Sequence, residues 1–178
     1  MADSVELLLD TSADLFIRED WAALEHEGLP NLSRHGSASN APHVTLAAAS
    51  RIDDRYDADL AAAATAAPPG LVTAGFIVFP TRRKFVLARQ VVVDQNLTNL
   101  HHRIWCALNG LSDAVPTTRA GVWTPHLTLS HSLTAEQLAD ALGVLRERTP
   151  ERLGTGPVRR WNALEKQLVL LGGADEQA

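Results

Sequence analysis

Apolar and polar positions alternate along this chain with a period that switches between two and about 3.6, which predicts strands interleaved with helices. Residues 5–9 read as a first strand. Capping residues at 10–14 then open a helix in which Ile17, Trp21 and Leu24 form one apolar stripe and Gly28 is the stop. A Gly- and Ser-bearing loop at 33–40 leads to a strand beginning near His43, followed by an Ala-rich helix over 53–67 that two prolines end. Residues 71–79 and 85–93, rich in Val, Ile and Phe, flank Pro80-Thr81-Arg82-Arg83-Lys84 and read as a β-hairpin with a basic tip. Asp94 caps a helix to about residue 111, with Leu97, Leu100, Ile104, Leu108 and Leu111 on its buried side. A loop over 112–124 delivers another strand, and Thr134 with Gln137 forms a capping box for a helix to about residue 148. Residues 149–157 read as turns, and 164–171 as a closing apolar strand.

Two of these strands carry the same pattern. Pro42-His43-Val44-Thr45-Leu46-Ala47 and Pro125-His126-Leu127-Thr128-Leu129-Ser130 both read Pro-His-apolar-Thr-Leu-small. A chance second copy has a probability on the order of a few in a thousand, so the pattern is an internal repeat, and two copies imply two related half-domains. In strand periodicity His43 and Thr45 share one face while Val44 and Leu46 take the other; His126 and Thr128 stand likewise opposite Leu127 and Leu129. The expected architecture is α+β: duplicated lobes of antiparallel sheet, helices outside, and two polar strand faces looking into a central cleft.

With 178 residues and 46% hydrophobic composition, the chain is expected to be a single two-lobed domain. Its formal charge of −5 argues against duplex DNA as a partner, leaving an RNA end or a nucleotide. The lone Cys106 excludes a disulfide framework or thiolate metal cluster and points to the cytoplasm. The N-terminus lacks the basic-then-apolar order of a secretory signal. Residues 60–80 are uncharged and approach membrane-spanning length, but Pro68-Pro69-Gly70 breaks them, so no membrane association is expected. A monomer is expected.

Two imidazoles and two hydroxyls suit cleavage of a phosphodiester, which needs a base for the attacking oxygen, an acid for the leaving one, and donors for the phosphoryl oxygens. An unperturbed histidine pKa of about 6.5 lets one imidazole be neutral while the other is protonated. Either histidine alone reads as an ordinary structural group; keeping the polar pair in both copies is what points to chemistry. Zinc is the competing use of the same histidines, but it wants three or four ligands and nothing nearby supplies the remainder. No metal or other cofactor is expected.

The paired motifs, their separation and the element order resemble the two-histidine phosphoesterase superfamily, in its 2′-5′ RNA ligase and RNA 2′,3′-cyclic phosphodiesterase branch. The likeness extends over nearly the whole chain, including the strand ending in Phe79-Pro80 and the basic residues after it. It implies a bilobal α+β fold with pseudo-two-fold symmetry and metal-independent opening of 2′,3′-cyclic phosphates, commonly to 2′-phosphates. His43, Thr45, His126 and Thr128 inherit the catalytic and phosphate-holding roles, with His126 activating water and His43 protonating the leaving ribose oxygen. Reversible 2′-5′ ligation and a non-catalytic RNA- or nucleotide-binding module are the alternatives, and intact motifs favour the enzyme. Relatives often carry Ala-Arg after the second motif where this chain has Ser130 and His131, so a basic group near the phosphate is to be sought at Arg82, Arg83 or Lys84. Phe79, Phe85 and Trp123 are candidates for stacking on a base, Trp123 foremost. His131 falls on the face of Leu127 and Leu129 if the strand is regular, and His101 and His102 read as helix residues of structural character. His26 and His35 flank the first loop, and His35 reaches the cleft if that loop folds over it.

Overall fold

The computed structural model describes residues 2–33, 40–109, 111, 113–148 and 150–172. In chain order they form β1 (Asp3–Leu9), α1 (Thr11–His26), β2 (His43–Ala49), α2 (Asp57–Ala64), β3 (Gly70–Pro80), β4 (Phe85–Val91), α3 (Gln95–Ala107), β5 (His126–Leu133), α4 (Ala135–Leu145), β6 (Arg152–Asn162) and β7 (Gln167–Gly172). His35 lies outside the described residues.

The helix starts follow the local chemistry of the sequence. Asp10 accepts from the N–H of Ala13 to cap α1, and Asp94 accepts from that of Leu97 to cap α3. Thr134 and Gln137 close a reciprocal capping box on α4. The α1 stripe of Ile17, Trp21 and Leu24 is buried, and Gly28 ends the helix region with a φ of 69° that glycine adopts without strain.

The strands run antiparallel in the order β1-β2-β5-β4-β3-β6-β7, and β1 also pairs with β6, so six strands close on themselves with β7 outside. The two lobes are visible in the pairing. Motif strand β2 lies beside β1, which lies beside the 11-residue β6; motif strand β5 lies beside β4, which lies beside the 11-residue β3. The lobes join at two places: Val44 pairs with Leu127 between the motif strands, and the starts of β3 and β6 pair over Gly70–Val72. The expected bilobal, pseudo-two-fold α+β fold is present.

Several element boundaries depart from the sequence reading. The stretch read as turns belongs to β6, because its glycines serve close approach and do not turn the chain. A Cβ on Gly156 would stand 2.6 Å from the Leu9 carbonyl oxygen, and one on Gly154 would collide with the Asp10 carboxylate that caps α1. Pro157 sits where the β1–β6 register shifts, the one kind of place a strand tolerates it. The closing strand accordingly starts at Gln167, with 163–166 as the hairpin turn. The Ala-rich helix begins as a 3-10 turn capped by Asp53 and ends at Ala64, where the N–H groups of Ala66 and Ala67 tighten onto the carbonyls three residues back. Helix α3 stops at Ala107, although Leu108 remains buried beyond it.

Behind the second motif strand a buried ion pair ties α1 to the sheet. The Arg89 guanidinium on β4 bonds both Asp20 carboxylate oxygens, with both side chains fully buried. Arg148 adds a 2.7 Å bond to Asp20 from the end of α4, and Arg89 also lies against the rings of Phe16 and Phe76. Removing one member of such a pair leaves the other charged and desolvated. Asp20→Ala is therefore expected to lower the unfolding free energy by about 3–5 kcal/mol, read from the midpoint and slope of a urea titration.

Candidate active site

His43 and His126 are the first residues of β2 and β5, and each is preceded by a proline that keeps the backbone before it extended. That conformation returns each imidazole to the carbonyl two residues earlier: His43 Nδ1 lies 2.8 Å from the Ala41 oxygen and His126 Nδ1 lies 2.7 Å from the Thr124 oxygen. A carbonyl only accepts, so Nδ1 carries the hydrogen in both rings and Nε2 is the nitrogen left for proton transfer. The residues between the polar ones behave as their period demands. Val44, Leu46, Leu127 and Leu129 are fully buried, while His43, Thr45, His126 and Thr128 are half-buried on the other face.

The pairing register gives the two histidines different neighbours. Glu6 on β1 stands opposite Thr45, and Arg159 on β6 stands opposite Glu6. At the equivalent places of the second lobe, Ala88 stands opposite Thr128 and Ile77 opposite Ala88. One lobe thus has an ion pair where the other has a methyl group and an alkyl chain.

Glu6 Oε1 is 3.5 Å from His43 Nε2, and the carboxylate also accepts 2.6 Å from the Ser4 hydroxyl and 2.7 Å from Arg159 Nε. Burial alone would raise the Glu6 pKa. The charges of His43 and Arg159, with the hydrogen bonds from Ser4 and Arg159, outweigh it and hold the carboxyl below its ordinary value. Among the described residues His126 has no carboxylate partner. The ring of Phe79 lies 4.7 Å from it, and burial pushes its pKa down; the bond to Thr124 opposes this, and the charge of His43 adds to the lowering.

A cavity of about 550 Å³ opens beside this group, walled by Glu6, His43, Thr128, His131, Arg159, Trp161 and Lys166 among others. Its charged lining is one carboxylate against two basic side chains, in a chain whose net charge is negative. Among the described residues no three His, Cys, Asp or Glu side chains group as a metal site.

His43 and Thr128 face the cavity; His126 and Thr45 sit beside them on the motif strands but do not line it. Arg82 and Arg83 lie exposed on the hairpin tip, outside the cavity wall. Trp123 takes up a structural position: its ring stacks on His101 with centroids 4.0 Å apart, and its indole N–H donates to the Thr45 carbonyl. His101 is buried and His102 exposed, in keeping with structural roles. His131 departs from expectation. Register shifts between β4 and β5 interrupt the alternation after Leu129, so Ser130 turns inward and His131 becomes exposed on the cavity wall.

Glu6, Arg159, Trp161 and Lys166 were not singled out from the sequence. A carboxylate inside the apolar strand Val5–Leu9 was the available signal for Glu6, while Arg159 and Trp161 belong to the strand read as turns and unassigned chain.

Two lobes, each with a motif strand that opens on a histidine followed two residues on by a threonine, match the plan of the two-histidine phosphoesterase type. The family model for the 2′-5′ RNA ligase superfamily matches residues 16–164, and the chain belongs to that family, which is the two-histidine phosphoesterase superfamily. Membership makes it an enzyme of the phosphoesterase and RNA ligase kind. The chain has no match among curated proteins. Among the described residues no helix is long and apolar enough to cross a membrane.

The environment of His126 sets a direction for its titration. Its imidazole C–H signals in proton NMR are expected to titrate with a midpoint below the ordinary value of about 6.5. In His43→Ala the midpoint rises as a positive neighbour is lost, yet stays below the ordinary value because burial, the larger cause, remains.

Proposed function

We propose that the protein opens 2′,3′-cyclic phosphates on RNA ends or nucleotides without a metal, by acid/base catalysis divided between its two motif histidines. The observation that carries this reading is the unequal pair: two imidazoles anchored identically through Nδ1, one beside a buried carboxylate and the other in an apolar, depressed-pKa setting. In the reaction, His126 Nε2 takes a proton from water as its oxygen bonds to phosphorus. The bond from phosphorus to the ribose 3′ oxygen breaks, and His43 Nε2 gives that oxygen a proton, leaving a 2′-phosphate. Glu6 Oε1 stands 3.5 Å from the His43 Nε2 that gives this proton. Thr45 and Thr128 donate hydroxyl hydrogens to the non-bridging oxygens, whose charge grows in the transition state. With a ribose 5′ hydroxyl attacking in place of water, the same opening forms a 2′-5′ phosphodiester and frees the 3′ hydroxyl.

The test is hydrolysis of nucleoside 2′,3′-cyclic monophosphates and a cyclic-phosphate-ended oligoribonucleotide, in EDTA and across pH, with product regiochemistry assigned. A bell-shaped, EDTA-resistant rate giving the 2′-phosphate is expected. Its acid limb lies below about pH 6.5, since a histidine with depressed pKa stays an active base to lower pH. His43→Ala and His126→Ala each lose about 10²–10⁴-fold in kcat. Failure on every cyclic phosphate, with binding retained, would replace the enzyme by a nucleotide-binding module.

A further inference from the structure

Three of the four tryptophans are committed to the fold by their indole N–H groups. Trp21 donates to the Thr128 carbonyl, Trp105 to that of Leu46 and Trp123 to that of Thr45, so all three brace the motif strands. Trp161 is different: it is half-buried on the cavity wall, and neither its N–H nor its ring has a partner among the described residues. It follows Arg159 by two positions on β6, so the two share the cleft face, while Arg160 between them turns to the other face and binds Asp57.

Lys166 stands at the same end of the cavity, on the turn between β6 and β7. Asn162 shapes this turn by accepting from the N–H groups of Leu164 and Glu165. Lys166 closes it with a φ of 55°, the only non-glycine residue with positive φ among the described ones. Glycine adopts that conformation freely and lysine does not, so the side chain is kept at a conformational cost. Its ammonium group forms no ion pair among the described residues, and Lys166 lines a cavity whose one carboxylate, Glu6, is already held by Arg159.

Distance suits these two residues to something longer than a phosphate. Thr45, Glu6 and Arg159 are neighbours on three adjacent strands, and Trp161 lies two residues further along. With strands ~4.8 Å apart and a rise of ~3.3 Å per residue, Thr45 and Trp161 are roughly 12 Å apart in backbone. Thr45 lies beside the cavity and not on its wall, and the cavity itself, lined by His43, Trp161 and Lys166 among others, has a volume of about 550 Å³, enough for a nucleotide.

We propose that Trp161 and Lys166 form a nucleotide subsite on the first lobe, with a nucleobase stacked on the indole and a second phosphate of the same substrate paired with the ammonium group. This rests on the reading of the cleft as a phosphodiester site and adds a substrate class: nucleotides bearing a phosphate besides the reacting one. A mononucleoside cyclic phosphate lacks that second group and is a poorer ligand.

The experiment is calorimetric titration with adenosine 3′-monophosphate and adenosine 3′,5′-bisphosphate, using the full chain, Lys166→Gly and Trp161→Leu, with a thermal melt of each. The unaltered chain is expected to bind the bisphosphate about tenfold more tightly. Lys166→Gly abolishes that preference while raising the melting temperature, because glycine relieves the positive φ; weaker binding by a more stable protein cannot be blamed on unfolding. Trp161→Leu weakens both nucleotides by about tenfold or more and keeps their ratio. Equal affinities in the unaltered chain, a preference that survives Lys166→Gly, or undiminished binding by Trp161→Leu would each overturn the subsite. Since only binding is read, a retained bisphosphate preference without cyclic-phosphate hydrolysis would sink the proposed reaction and leave the subsite standing.

Discussion

The pairing of Val44 with Leu127 is the contact on which the site depends. These are the residues directly after the two histidines, and both are fully buried. Their pairing sets the two motif strands side by side in opposite directions at the histidine positions. It is a short contact, and the motif strands beyond it are braced from outside. Tryptophans from α1, from α3 and from the loop before β5 donate to the carbonyls of Thr128, Leu46 and Thr45. Buried carbonyls without a partner are costly, so this bracing fixes the strand positions as well as satisfying their polar groups.

Two lobes of the same plan do not surround their histidines alike. The register breaks the symmetry with a few side chains. Glu6 with Arg159 occupies the place that Ala88 with Ile77 occupies in the other lobe, and Phe79 lies over His126. A buried carboxylate stands beside one ring, and desolvation favours the neutral form of the other. The same asymmetry makes the first lobe the polar wall of the cavity, and there Trp161 and Lys166 stand without partners among the described residues.

Ion pairs hold both lobes. Arg89 with Asp20 anchors α1 behind the second motif strand, and Arg160 with Asp57 anchors α2 behind β6. Adjacent arginines on β6 therefore do opposite things: Arg159 faces the cleft and steadies Glu6, while Arg160 faces a helix. Each is bound by a carboxylate far away in sequence, so neither is a free phosphate-binding cation.

The sequence alone determined the elements with local causes. Caps at Asp10, Asp94 and Thr134, the α1 stripe, the 71–93 hairpin and the repeated His-x-Thr strands all follow from residues within a few positions of one another, and the repeat carried the two-lobed plan. Tertiary structure decided what depends on partners. Gly154 and Gly156 resemble a turn until β1 passes against them; the face of His131 depends on an irregularity in β4–β5 pairing; Trp123 is taken by His101. Glu6 meets His43 only because β1 and β2 pair in that register, and Trp161 reaches the cavity only because β6 completes the first lobe. A strand's period tells which residues share a face, whereas what stands opposite them is set by register, and register is a property of the assembled sheet.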